Sequence, residues 1–221
     1  MVRTPRPEPP PLLVAKQKEW TIRWIESRDK DKNWATRTAS KLLKNALLTM
    51  THGKCAYCEN LLLETFPVEH FLSKSESREH AFQWENLFPA CHDCNSKKGS
   101  RSPEKEIIRP DREPDSEDYF DVNVKGQLVP HSKIADDAFA EERVRLTIEF
   151  FGLNRGALCR IRNTVMDDVR RYKKKSLGNF LDPTRPFKLV IRKTLRDIGR
   201  TDLAAEDKRR FEAPPQSQST I

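Results

Sequence analysis

The chain has 221 residues, of which 36% are hydrophobic and 33% charged. That balance is polar but short of a disordered profile, so a divided core is expected, and no apolar run approaches the ~20 residues of a membrane span. The net charge of +8 is uneven, with +5 over residues 1–103, −6 over 104–149 and +9 over 150–221. Such a balance fits a polyanion partner such as nucleic acid, or simply a solvated surface.

Residues 1–11 form a proline-rich, extended arm with no apolar core of a signal peptide, so a soluble, cytoplasmic protein without a membrane partner is expected. The spacing of Leu13, Lys16, Trp20 and Trp24 predicts a helix from Leu12 to about Arg28. A second helix is predicted from Trp34 to Met50, with Leu42, Leu43, Ala46 and Leu47 on its apolar face, ending at His52-Gly53. Residues 54–100 hold short strand-like runs. The alternation in YFDVNVKGQLVPHS around Lys125-Gly126 predicts a β-hairpin. Helices follow over Asp136–Phe151, closed by Gly152, and near Arg155–Leu177 and Phe187–Phe211. The chain thus divides into the arm, N-terminal helices (12–52), a cysteine-bearing segment (53–102), an acidic linker with the hairpin (103–135), a C-terminal helical region (136–212) and a disordered tail (213–221).

Cys55-Ala-Tyr-Cys58 and Cys91-His-Asp-Cys94 each set two thiolates on a tight knuckle. In a reducing compartment two CxxC pairs point to metal rather than disulfides. Four thiolates satisfy tetrahedral Zn²⁺ completely, leaving no position for water or substrate, so this zinc folds the chain and does no chemistry. Binding of such an ion supplies on the order of 10 kcal/mol to a small domain. Cys159 stands alone in a helical stretch and reads as a buried small residue. The 32 residues between the knuckles exceed the ~15–20 of a plain zinc ribbon. They contain PVEHFLSKS and WENLF, and the stretch ENLFPACHDCNSKKGS closes the segment.

The order CxxC, Glu69-His70, Asn86-Leu87, CxxC-Asn95 and then Lys-Gly resembles the zinc-stapled HNH endonucleases. The phrases VEHFLSKS, FQWENLFPACHDCNSKKGS and RLTIEFFGLNRGAL extend the likeness over about residues 55–165 to PtuB, the HNH subunit of Septu and retron-associated antiphage defence systems. The resemblance implies an α+β fold: a small ββα-metal core stapled by zinc, with a β-hairpin, flanked by N-terminal and C-terminal helices. It implies phosphodiester hydrolysis, of DNA in the first instance with RNA also possible. It further implies an ABC-type ATPase partner, PtuA, and in retron versions a reverse transcriptase with its DNA–RNA product.

The residues suit that chemistry. An unperturbed imidazole titrates near 6.5, so His70 can take a proton from water and contribute ~10²–10⁴-fold. Glu69 and the Asn95 carbonyl are two hard oxygen donors for Mg²⁺ or Mn²⁺. By resemblance Asn86 braces the loop and orients His70, while Lys97, Lys98 and Arg101 meet phosphates. Glu69 stands where many relatives have Asp, and Asn95 where many have His; Glu69 could also be merely structural. His52, His80, His92 and His131 read as helix-end or surface residues, and Trp84 and Phe88 as core. Trp20 and Trp24 suit a partner surface or the chain's own core equally, and Arg170–Lys175 suits a solvated face or a nucleic-acid patch. A competing reading is a zinc module without catalysis, binding nucleic acid or an ATPase. It explains the cysteines and charge but not the order of Glu69, His70, Asn86 and Asn95.

Overall fold

The computed structural model describes residues 1–27, 37–62, 65–103, 106–112, 115–172 and 174–213, without the side chains of 37–39 and 174–176. The expected helix start at Trp34, residue 173 and the side chains of the two lysines after it, parts of the acidic linker and the tail from 214 onward lie outside that description.

Two helices open the chain. α1 (Pro11–Glu26) begins with proline at its first position, where the missing amide hydrogen costs nothing. Its buried residues Leu13, Trp20 and Trp24 fall on one face, and α2 (Arg37–Thr51) buries Leu43, Leu47 and Met50. Both helices close over Phe82, Trp84 and Leu87, with Trp20 edge-on to Phe82 at 6.0 Å. The two tryptophans are therefore core. The left-handed pair His52 (φ 51°) and Gly53 (φ 76°) ends α2, and the His52 ring is pinned to the Phe211 carbonyl at 2.7 Å.

The centre is a two-stranded antiparallel ribbon followed by a short helix. β1 (Val68–His70) pairs with β2 (Leu87–Pro89) in the register Val68↔Pro89, Glu69↔Phe88 and His70↔Leu87. α3 (His92–Lys98) follows directly, so the order is ββα. Between the strands lie two 3-10 turns, Arg78–His80 and Trp84–Asn86. The proline-rich segment is not a free arm. Arg6 donates to the carbonyls of Trp84 (2.6 Å) and Leu87 (3.0 Å) and pairs with Asp111 at 3.0 Å, and the Thr4 amide donates to Pro110. Residues 1–7 thus wrap the back of the ribbon.

The predicted hairpin is present as β3 (Phe120–Val122) and β4 (Leu128–Pro130), turning through Gly126 at φ 72°. That glycine is obligatory, because a Cβ there would lie 2.2 Å from the Cys159 carbonyl oxygen. α4 (Ala138–Phe151) is capped by Asp137, whose carboxylate accepts from the Ala140 amide, and ends at left-handed Gly152. α5 (Gly156–Arg171) stops six residues before the predicted Leu177; a 3-10 stretch, Lys174–Leu181, takes over.

The single helix predicted over Phe187–Phe211 is two, α6 (Lys188–Asp197) and α7 (Thr201–Glu212). Gly199 at φ 75° turns the chain between them. A buried charge network rewards the turn: Asp207 on α7 takes Lys188 at 2.6 Å and Arg192 at 2.7 Å from α6, and Arg192 also binds Glu117. The main core runs from Met50 and the cysteine knuckles through Phe120, Phe151 and Leu158 to Phe187, Leu189 and Phe211. The flanking helices are continuous with the cysteine-bearing centre. None of the described helices is long and apolar enough to cross a membrane.

Candidate active site and metal centre

The two knuckles meet. The Sγ atoms of Cys55, Cys58, Cys91 and Cys94 all lie within 4.8 Å of one another, and Cys58 and Cys91 are 3.7 Å apart. No disulfide links them. A tetrahedral ion with Zn–S of ~2.3 Å needs sulfur–sulfur edges of about 3.8 Å, so the donor set and its spacing fit a structural Zn²⁺. Backbone pairing explains the approach: the Ala56 amide donates to Pro89 at 2.9 Å, laying the first knuckle against the strand that feeds the second. Cys91 caps α3, its sulfur accepting from the Cys94 amide at 3.5 Å. Glu59 takes a left-handed conformation (φ 63°) to close the first knuckle, and its carboxylate receives the Leu189 amide at 3.3 Å.

Sequence reasoning missed Arg155. Its guanidinium lies 3.6 Å from Cys94 Sγ, 3.7 Å from Cys91 Sγ and 3.9 Å from Cys58 Sγ, and 3.3 Å from Asp93. A cation over three sulfurs offsets the excess negative charge of a four-thiolate site. Only its place at the start of a helix, one residue after Asn154, marked it in the sequence. Cys159 stays outside the cluster, half-buried, with its thiol 3.4 Å from the Asn154 carbonyl.

Glu69 sits at the middle of β1, 1% exposed. One carboxylate oxygen, Oε2, accepts a short hydrogen bond from the Tyr57 hydroxyl. The other, Oε1, is 3.0 Å from Lys98 Nζ without an aligned hydrogen bond. Tyr57 is the third residue of the first knuckle, and its ring stacks on Phe151 with centroids 3.7 Å apart. Nothing in periodicity or spacing distinguished it, yet it ties the zinc loop to the acid. Burial pushes the Glu69 pKa up, while the Lys98 charge and the tyrosine hydrogen bond oppose that rise.

His70 ends β1, half-buried. Alternation along the strand turns it away from Glu69. Desolvation, with the Lys74 and Lys98 charges, holds its pKa down to about 3, and the Ala81 backbone pulls the other way. The imidazole is therefore unprotonated at neutral pH, the form that accepts a proton. The Lys98 charge reaches both side chains, so Glu69, His70 and Lys98 share one electrostatic neighbourhood.

Asn86 is buried and fully engaged. Its Oδ1 accepts from the Leu72 amide at 2.7 Å, and its Nδ2 donates to the carbonyls of Leu72 (3.0 Å) and His80 (2.9 Å). The Phe71 amide returns to the Asn86 carbonyl at 2.9 Å. With its amide turned onto Leu72 and His80, Asn86 fixes the chain just after His70. Asn95, in α3, is half-buried; among the described residues only its backbone is bonded, to Cys91 and Gly99. Its side-chain carbonyl has no partner among the described residues.

The basic residues separate. Lys97 is exposed, and Arg101 is exposed while its guanidinium caps the carbonyls of Lys97 (2.8 Å) and Lys98 (3.0 Å). Both line a cavity of about 300 Å³ with Ile107, Leu146 and Phe150. Lys98, expected at phosphates, is instead 3% exposed. Lying one helical turn from Cys94, it points inward, where the Glu69 carboxylate offsets its desolvation. The remaining histidines are structural or peripheral: His80 meets Gln83 at 2.8 Å, His131 accepts from the Lys133 amide at 3.0 Å, and His92 is exposed.

Residues 55–101, the span holding both knuckles and the ββα unit, match the HNH endonuclease family model. This segment is an HNH domain. The chain is also 35% identical over 114 residues to Septu protein PtuB of Bacillus thuringiensis. The match takes in 50% of the chain and 42% of the relative, so the chain spans less than half of that protein's length. The HNH domain is thus related to that of PtuB. Its two cysteine pairs bracket the Glu69-His70 strand and the Asn86 turn, and the mixed helix and small-sheet architecture agrees with the α+β expectation.

Glu69 and Asn95 also offer hard oxygen donors of the type that Mg²⁺ or Mn²⁺ takes. Glu69 Oε1 is a buried oxygen without an aligned hydrogen bond, and the Asn95 carbonyl is unengaged among the described residues. One obstacle stands beside them, the Lys98 ammonium on Oε1.

Proposed function

We propose that the protein is a metal-dependent HNH endonuclease that hydrolyses phosphodiester bonds, with DNA as substrate, and that it serves as the effector subunit of a Septu-type antiphage system beside the ABC-type ATPase PtuA. The observation that carries this reading is the assembly of Glu69, His70 and the last turn of α3 around one ribbon, with Asn86 locking the turn behind it. A zinc module needs the cysteines but has no use for an imidazole held neutral on the strand that carries a buried carboxylate.

Each residue then has a role. His70, neutral at physiological pH, accepts the proton of the attacking water, and an approaching phosphate raises its basicity. Glu69 and Asn95 hold Mg²⁺ or Mn²⁺. The cation supplies charge compensation at the phosphate and leaving oxygen. Asn86 acts as a positioning residue: by tying Leu72 and His80 together it fixes the backbone on which His70 rides. Lys97 and Arg101 lie on the exposed flank of α3, where flanking phosphates of a nucleic acid would run. In a retron version, a reverse transcriptase and its DNA–RNA product would join the same assembly.

The test is co-expression with a PtuA-type ATPase, followed by cleavage assays on DNA and RNA with Mg²⁺ or Mn²⁺. The wild type should cleave DNA, and His70→Ala should lose that cleavage with zinc content unchanged. Survival of cleavage in His70→Ala refutes the base assignment. Cleavage of RNA alone moves the substrate to RNA, tRNA included. No cleavage by the wild type in any combination leaves the zinc-module reading.

A further inference from the structure

Lys98 occupies an unusual position for a residue in a basic nucleic-acid-facing segment. Its ammonium is 3% exposed and rests 3.0 Å from Glu69 Oε1, the one carboxylate oxygen that Tyr57 leaves open. That oxygen has no aligned hydrogen bond. The ammonium is thus the one group among the described residues that meets this oxygen, as a close, buried ion pair. Arg109 is the other cation felt by Glu69, and it is held elsewhere, by Asp111 at 3.0 Å.

We infer that Lys98 is the resting counter-ion of Glu69 and that its ammonium and the divalent cation are mutually exclusive occupants of this carboxylate. The inference rests on the cation site proposed above. A monovalent ammonium and a dication cannot share one oxygen, because their repulsion in a desolvated site is not screened. A lysine suits such an exchange. It carries a compact charge on a four-carbon stem, so its head can leave while the backbone of α3 stays anchored by Cys91 and Cys94. The carbonyls of Lys97 and Lys98 remain held by Arg101. Freed from Glu69, the ammonium lies on the same helical turn as exposed Lys97 and becomes available to phosphate. Cation loading and the creation of a second phosphate-binding charge are then one event, and without divalent cation the carboxylate is blocked.

Two measurements on the full-length, zinc-loaded protein test this. The first is Mn²⁺ binding followed by electron paramagnetic resonance of the free ion. Lys98→Met, which keeps the side chain's bulk and removes its charge, should bind Mn²⁺ at least ~10-fold more tightly than wild type, and Glu69→Gln should abolish binding at this site. The second uses wild type alone, which covers the case that Lys98→Met fails to fold. Amine-reactive labelling read by mass spectrometry should leave Lys98 protected without cation and label it severalfold faster with saturating Ca²⁺ or Mn²⁺. Lys188, buried on Asp207, should stay protected throughout. Mn²⁺ binding through Glu69 with Lys98 labelling unchanged overturns the exchange while leaving the cation site standing. Equal or weaker Mn²⁺ affinity in a folded Lys98→Met protein does the same. If no cation binds wild type or the variant, the cation site itself fails and the exchange falls with it.

Discussion

Arg155→Leu should loosen the metal centre without touching a ligand. In the structure this guanidinium reaches three of the four sulfurs, at 3.6, 3.7 and 3.9 Å, and also holds the Gly152 carbonyl at 3.2 Å. A Zn²⁺ held by four thiolates carries a net charge of −2, so a cation contacting three of them stabilises the loaded form more than the empty one. The contacts are long and the arginine is a quarter exposed, which puts the effect in the lower part of the charge-assisted range, about 1.5–2.5 kcal/mol. That corresponds to roughly 10–100-fold in zinc affinity, the usual range for an outer-shell partner. The assay is transfer of zinc to a chromophoric chelator, with total zinc verified by elemental analysis. Arg155→Leu should release zinc at least tenfold faster or bind it tenfold more weakly, and Arg155→Lys should fall between, since one ammonium cannot span three sulfurs. Zinc release within twofold of wild type in a folded Arg155→Leu protein would show that the guanidinium is a bystander.

Further perturbations probe the scaffold around the site. Asn86→Ala orphans the buried Leu72 amide and the Leu72 and His80 carbonyls, and should destabilise by about 2–4 kcal/mol in thermal unfolding while lowering cleavage by kcat more than KM. Tyr57→Phe removes one donor from the Glu69 carboxylate and should cost about 1–3 kcal/mol in denaturant unfolding, with zinc content retained. Asp207→Leu strands Lys188 in the core, leaves Arg192 with Glu117 alone, and should cost roughly 3–5 kcal/mol by the same measurement. Stripping zinc with a strong chelator should abolish the cooperative thermal transition and restore it on readdition, because both knuckles belong to the main core.

What the sequence displayed and what it hid divide along physical lines. The knuckles, the helix from about Asp136 closed by Gly152 and the Gly126 turn were legible because each is a local rule: ligand spacing, helical period, a turn glycine. The ββα order around Glu69, His70, Asn86 and Asn95 was legible as a motif. The break between α6 and α7 was missed because Gly199 inside a periodic pattern reads as tolerated; the Asp207 network that selects the bend is tertiary. The same holds for Tyr57, Arg155 and Lys98. Their partners lie 12, 61 to 97 and 29 positions away in sequence, and no spacing rule encodes a side chain that reaches across the fold. Lys98 is the instructive case, since a lysine in a basic run defaults to solvent unless a buried carboxylate awaits it.

The helical flanks bear on whether the HNH domain can work alone. α6 and α7 contribute Phe187, Leu189, Val190 and Phe211 to the core that contains Cys55, Cys58 and Cys94. At about 1.5–3 kcal/mol for each buried side chain of this size, these four account for roughly 6–12 kcal/mol, comparable to the whole stability of an ordinary domain. Truncation after Tyr172 would also release Glu59 from the Leu189 amide and Lys54 from the Pro183 carbonyl. Water can resolvate those groups, so the apolar term decides the outcome. The truncated chain should therefore lose cooperative unfolding and fail to hold zinc at stoichiometry, even though every cysteine and every proposed catalytic residue is retained. A truncated protein that binds one zinc and melts cooperatively would mean that the knuckle-centred core closes without α6 and α7, and that those helices serve something other than the stability of the site.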